Sequence, residues 1–485
     1  MAPLACAALV LTSLTVPATP ASAQAKAAEP ILQEVTLAKG PAAMGEPMSL
    51  AVLPDRTALH TSRDGRIFAT DPVGGTKLAA TIPVYTHDEE GLQGIAADPD
   101  FASNRWIYLY YAPVLASTPA GDAPSNGTDA DFARWQGHNQ LSRFTLRPDN
   151  TVDLASEKKL LQVTADRGMC CHVGGDIDFD AQGNLYLSTG DDTQPWSSSG
   201  YTPIDERDGY SWDFDAQRTA GNTNDLRGKV LRIHPEDDGT YTVPAGNLFA
   251  PGTARTRPEI YAMGFRNPFR LSVDKATGTV YVGNYAADAE AADPNRGDGG
   301  HQEFERITGP GNFGWPYCQG YNTPYNDYDF ATGTSGPKFD CAAPVNESPH
   351  NTGLRELPRR SRPGSRTTAA CPRRWATAAV RWPARSTAST PAWTRRPSCR
   401  KASTASSSPV SSPRTGSRRS PRTATAAPVR SPPSRGPTST SWTWRWARRA
   451  RSTCSTTAPA GSTATSTPPC TASRPRRAAT ARRPR

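Results

Sequence analysis

The feature that most constrains the fold is a break in composition after Leu357. From Pro358 to Arg485 there is no Asp, Glu, Asn, Gln, His, Ile, Leu, Met, Phe or Tyr. Arg, Ser, Thr, Pro and Ala dominate, with scattered Trp and Cys. Such a stretch buries too little apolar surface to offset the entropy of ordering it. Whatever core the chain has is therefore expected within the first 357 residues. The bulk charge of +10 hides the same division. Residues 1–357 carry 27 basic and 45 acidic side chains, and residues 358–485 carry 28 basic ones and no acid. The first block is an acidic protein, so the net charge is no argument for nucleic-acid binding.

Tails that exclude ten residue types are unusual, whereas a GC-rich reading frame entered out of phase produces them readily. The run Ser441–Ala447 allows a test, because Trp has a single codon. Joining the third base of each codon to the first two of the next gives Leu/Met/Val, Asp, Leu/Met/Val, Ala/Glu, Leu/Met/Val, Gly. That alternation is the pattern of a β-strand. The sequence thus reads as frameshifted near residues 357–360, with residues 358–485 expected to be an out-of-frame, disordered tail. Activity of the literal chain is then expected to be impaired.

At the other end, residues 4–16 are small and apolar, and Ala21-Ser22-Ala23 fits a signal-peptidase site. Residues 1–23 are expected to be an export signal and the protein to be secreted. No later run is long and apolar enough to span a bilayer. In an oxidising compartment Cys318 and Cys341 can close one loop. For the adjacent Cys170 and Cys171 the readings stay open: a vicinal disulfide, two half-buried thiols, or one partner each in longer-range bridges.

From about residue 30 to 357 the pattern has period two, and no long amphipathic helix is evident. One module recurs: an apolar strand, a turn carrying Gly, then a Leu/Ile/Val-Tyr/Phe strand. It occupies residues 62–68, 179–187 and 273–282. Repeated hairpins without helices predict an all-β β-propeller, here incomplete because its last blades fall in the tail. A β-sandwich is the runner-up. Residues 112–138 and 194–224 are long Gly/Pro/Asn-rich insertions, expected to cover the mouth of the central channel.

The chemistry centres on His172. It precedes Gly174-Gly175 and a strand, and the next strand ends at Gly190-Asp191. Imidazole titrates near neutral pH, and a carboxylate can orient it as a base. Around this hairpin five stretches occur in order: residues 90–101 with 106–111; His172–Gly175 with Gly190-Asp191; residues 226–233; Ile260–Pro268, containing Gly264-Phe265-Arg266-Asn267-Pro268; and Gly311–Pro316. Together they resemble the soluble glucose/sorbosone dehydrogenases, which are six-bladed propellers using pyrroloquinoline quinone (PQQ).

The resemblance implies that His172 is the base, that Asp191 holds and charges it, and that Arg266 polarises the quinone with Asn267 beside it. It also implies calcium, bound in part by backbone carbonyls near Ala286, with a second ion on Glu303. The chain departs from the family pattern at Gln302, at Phe313 and in an Asp-rich insertion over residues 287–300. Gln93 lies out of register with the family's cofactor-contacting Gln, so no role transfers to it. The function implied is a PQQ-dependent sugar dehydrogenase passing electrons to an external acceptor. The alternatives are a calcium-dependent lactonase-type propeller and a non-catalytic carbohydrate- or protein-binding propeller.

Overall fold

The computed structural model describes residues 34–39 and 44–361 and, as backbone, the strand Ser365–Thr368. Every described residue belongs to one compact unit, within Met1–Ser389. The expected signal peptide and, apart from residues 358–361 and the strand Ser365–Thr368, the expected tail lie outside the described residues.

The described part is all-β and arranged like a propeller. The first sheet is the meander β1 (Pro47–Val52), β2 (Ala58–Ser62), β3 (Arg66–Thr70) and β4 (Thr76–Thr81). The second is β5 (Leu92–Ala97), β6 (Trp106–Tyr111), β7 (Gln136–Leu146) and β8 (Val152–Asp166). The third runs β9 (Gly174–Phe179), β10 (Leu185–Thr189), β11 (Lys229–Pro235), with β12 (Tyr241–Thr242) on its end, and β13 (Ile260–Met263). The fourth is β14 (Asn267–Val273), β15 (Val280–Tyr285) and β16 (His301–Ile307), completed by the strand Ser365–Thr368. A short β17 (Gly311–Asn312) pairs in parallel with β13. The three sequence modules are the hairpins β2–β3, β9–β10 and β14–β15. Among the described residues the only α-helices are α1 (Phe101–Asn104) and α2 (Asp129–Phe132), one turn each.

Alternation drives the sheets together. In β16 every second residue, His301, Glu303, Glu305 and Ile307, is buried. The apolar residues collect between consecutive sheets. Leu59, Ile67, Ile95 and Leu109 fill the space between the first two. Tyr108, Leu141, Ile177, Leu187 and Leu231 fill the second gap, and Val230, Phe265, Leu271 and Val282 the third. Each fully buried side chain of this kind contributes about 1.5–3 kcal/mol. The innermost strands meet through β9. Asp176 accepts from the Leu271 N–H at 3.0 Å, and Asp178 from the Val273 N–H at 2.8 Å. Ser49 of β1 reaches Asp176 at 3.4 Å.

The two long insertions pack on each other. Phe132 and Phe214 meet edge to face at 5.7 Å, and the Trp212 N–H donates to Asp129 at 2.8 Å. The expected Cys318–Cys341 pair is present, and Cys170–Cys171, left open by the sequence, is a vicinal disulfide. Ordered packing continues just past the composition break. Arg360 is buried, and the Ser361 N–H donates to Asn312 at 2.6 Å.

Candidate active site

His172 sits where the chain leaves the Cys170–Cys171 pair and enters β9. Its backbone lies in the left-handed region, at φ +70°. Gly175 (φ +108°) lets β9 lie flat on β5, since a Cβ there would run into Gln93. Gly190 does the same at the end of β10, where a Cβ would run into the His172 carbonyl oxygen. These glycines bring the far end of the β9–β10 hairpin back onto the histidine, and Asp191 follows.

His172 is 3% exposed and Asp191 fully buried. Nδ1 of His172 lies 2.7 Å from Oδ1 of Asp191. A carboxylate oxygen accepts, so in the neutral imidazole Nδ1 carries the proton and Nε2 presents a lone pair. That Nε2 has no hydrogen-bond partner among the described residues. Asp191 is fixed from three further sides. Its Oδ2 accepts from Trp315 Nε1 at 2.6 Å, its Oδ1 from the Thr193 N–H at 3.2 Å, and its own N–H donates to the Arg266 carbonyl at 2.7 Å. Sequence reasoning gave Trp315 no role. Its place in the Gly311–Pro316 motif was the signal that could have found it.

Arg266 and Asn267 open β14, against the start of β9. Asn267 Oδ1 accepts from the Gly174 N–H at 3.2 Å, and its N–H donates to Asn284 at 3.1 Å. Asn267 therefore ties the histidine's strand to β14. Arg266 is buried and donates to the Ala286 carbonyl and to Asp288 Oδ2, both at 2.7 Å.

The positions that the resemblance gives to two separate calcium ions, the Ala286 carbonyl and Glu303, each have donors from the protein. The Ala286 carbonyl accepts from Arg266. Glu303 Oε1 accepts from the Gly320 N–H at 2.6 Å and from Arg360 at 3.0 Å, and Oε2 from Asn284 at 3.4 Å. Burial pushes the Glu303 carboxyl up to about 7 against the pull of Arg360. A guanidinium is among the donors at each position, Arg266 at Ala286 and Arg360 at Glu303. Among the described residues, three ligand-type side chains converge elsewhere, at Glu89, Cys170 and Cys171 and at His87, Asp88 and Asp122.

Behind His172 lies a buried ionic cluster that the sequence did not reveal as a unit. Arg227 pairs with Asp166, with Asp192 at 3.2 Å and with Asp225 at 2.7 Å. Arg218 pairs with Asp166 and with Asp213 at 3.0 Å. Burial raises the Asp192 and Asp213 carboxyls well above their ordinary range, and the neighbouring Asp166 adds to it. For Asp166 burial acts upward too, but Arg218 and Arg227 outweigh it and hold the group down. A cavity of about 10 Å³ between His172, Tyr110, Asn139, Asp192 and Arg227 has room for one water.

The donor set fits the reacting end of a quinone cofactor. A buried imidazole offers an unpartnered acceptor, a buried carboxylate charges it, and a buried guanidinium enters from the next strand.

A family model described as Glucose / Sorbosone dehydrogenase matches residues 44–348. The chain is 25% identical over 305 residues to the aldose sugar dehydrogenase YliI of Escherichia coli (strain K12), covering 61% of this chain and 67% of that protein. It spans about two thirds of the length of the curated relatives it matches first. Among solved structures it is similar to an oxidoreductase (glucose dehydrogenase) from Thermus thermophilus. That match has 27% identity, covers 57% of this chain and 67% of that one, and gives a TM-score of 0.40. It is also similar to the PQQ-bound aldose sugar dehydrogenase of Streptomyces coelicolor, at 24% identity over 64% of this chain and 71% of that one, with a TM-score of 0.39.

Proposed function

The chain belongs to the glucose/sorbosone dehydrogenase family, and on that premise we propose that it is a secreted, PQQ-dependent sugar dehydrogenase that passes electrons to an external acceptor. The observation that carries the reading is the His172–Asp191 pair with its unpartnered Nε2. Bound PQQ would supply the quinone that accepts hydride from a sugar carbon. His172 takes the hydroxyl proton at Nε2 as that carbon is oxidised. Asp191 stabilises the imidazolium that results, and Trp315 and Thr193 keep Asp191 in place. Arg266, buried beside Asn267, would supply fixed positive charge to the quinone end of the bound cofactor. Asn267 holds the two strands in register, which keeps these groups aligned. Calcium is given no step, because Ala286 and Glu303 already have arginine partners.

The propeller is proposed to be six-bladed and incomplete in this chain. The exposed Leu50 and Val52 of β1 and Leu78 of β4 support it, because they leave one apolar sheet face open for a further blade.

The test is reconstitution with PQQ followed by dye reduction with a panel of aldoses. Turnover by the full chain is expected to be impaired, and what remains is expected to be lost in His172→Gln while PQQ absorbance changes persist. No absorbance change and no turnover with PQQ would overturn the reading. Mass spectrometry of the protein from its source organism checks the mature N-terminus and the identity of the tail.

A further inference from the structure

We propose that Glu89, Cys170 and Cys171 form a reductively opened site for a thiophilic divalent cation, set on the backbone that carries His172. One carboxylate oxygen and the two sulfurs lie within 4.8 Å of one another, and all three residues are half-buried. In the structure the sulfurs are bonded to each other. A dithiol reductant converts this disulfide to two thiols, taking up two electrons and two protons while the reductant becomes its own disulfide. Cation binding then releases both thiol protons to solvent, leaving two thiolates and one carboxylate around the metal.

That ligand set is specific. Two soft sulfurs favour zinc-like cations over calcium or magnesium. Three protein ligands leave the fourth tetrahedral position open. The second cystine offers no equivalent, since Cys318 and Cys341 are buried at 2% and 8% exposure. A reductant therefore reaches Cys170–Cys171 first. The site is also coupled to the base. Glu89 Oε2 accepts from the His172 N–H at 2.7 Å, so a cation that engages this carboxylate competes with the contact that seats the imidazole's backbone.

The experiment uses the full-length, PQQ-free chain, reduced and then freed of reductant without oxygen, and titrated with Co²⁺ and then Zn²⁺. Reduced protein is expected to develop a sulfur-to-cobalt charge-transfer band at one equivalent beyond that of Cys170→Ser/Cys171→Ser, and zinc is expected to abolish it. All other cysteines are common to both proteins and cancel in this difference. Unreduced protein should lack the band, and Glu89→Gln should bind about tenfold more weakly or worse. If the double variant does not fold, reduced protein alkylated at these two thiols takes its place, with the same loss expected. A reduced chain binding no more cobalt than the double variant overturns the site. Wild-type affinity in Glu89→Gln overturns its ligand set.

Discussion

Asp191 and Asp192 are consecutive, both buried, and held in opposite ways. Asp191 is surrounded by donors, namely the His172 imidazole, the Trp315 indole and the Thr193 amide. Asp192 faces the other way, into a cluster where Asp166, Asp213 and Asp225 share Arg218 and Arg227. One carboxylate is solvated by the protein, and its neighbour is crowded by like charge. A buried charge surrounded by neutral donors keeps its geometry and can serve chemistry. A buried cluster with more acids than arginines binds protons and serves packing. The largest effect is therefore expected on the Asp191 side. Asp191→Asn can present an amide N–H to Nδ1 and reverse the histidine's tautomer. Turnover in PQQ-reconstituted protein should fall by about 10²–10⁴ with the circular dichroism spectrum unchanged. Unchanged turnover would remove the distinction between the two aspartates.

The Asp192 side should instead report in stability. Arg227→Met leaves Asp166, Asp192 and Asp225 without their shared guanidinium. Loss of one partner from a buried ionic group costs about 3–5 kcal/mol, which a urea midpoint would register. A variant as stable as the wild type would mean that the cluster is already neutralised by protons.

The difference between the aspartates also marks what the sequence made legible. The hairpins around residues 62–68, 179–187 and 273–282 were readable because their period and turn residues are local. His172, Asp191, Arg266 and Asn267 were readable through ordered motifs, and the structure brings their backbones together. The Arg227 cluster was not legible as a unit. Asp166 and Arg227 lie 61 positions apart and meet only through packing. Nor could the sequence show that Ala286 and Glu303 are each taken by an arginine, because those pairings depend on side-chain reach across strands. The number of blades also stays with the family resemblance, since four blade-sized sheets are described and the fourth takes its outer strand from beyond Leu357.

A pH titration sharpens the comparison with a smaller effect. Burial pushes Glu90 up to about 7, and Arg167 only partly offsets it. A carboxyl raised in the folded state holds its proton more tightly there than in the unfolded chain. Its contribution to stability is complete below the ordinary range, near 4.3, and is lost as pH rises through about 7. Wild type is therefore expected to lose about 1–3 kcal/mol from this group between roughly pH 5 and pH 8. Glu90→Gln should remove that part of the slope, measured as the difference between the two urea stability profiles. Parallel profiles would show that Glu90 ionises normally despite its burial.

The smallest effect is expected at Asp288, and it separates the two ends of Arg266. One nitrogen of the guanidinium is fixed by the buried Ala286 carbonyl and the other by Asp288, whose side chain is 57% exposed. Water screens an exposed partner and can replace it, so such a pair contributes only about 0–1 kcal/mol. The carbonyl contact is buried and water cannot substitute for it. Asp288→Asn should thus shift stability by no more than about 1 kcal/mol and leave turnover within a few-fold of wild type. Arg266→Lys replaces the planar fork with a single ammonium that cannot reach both partners, and its turnover should fall much further. Equal losses in the two variants would mean that Asp288, and not the carbonyl of Ala286, fixes the arginine at the site.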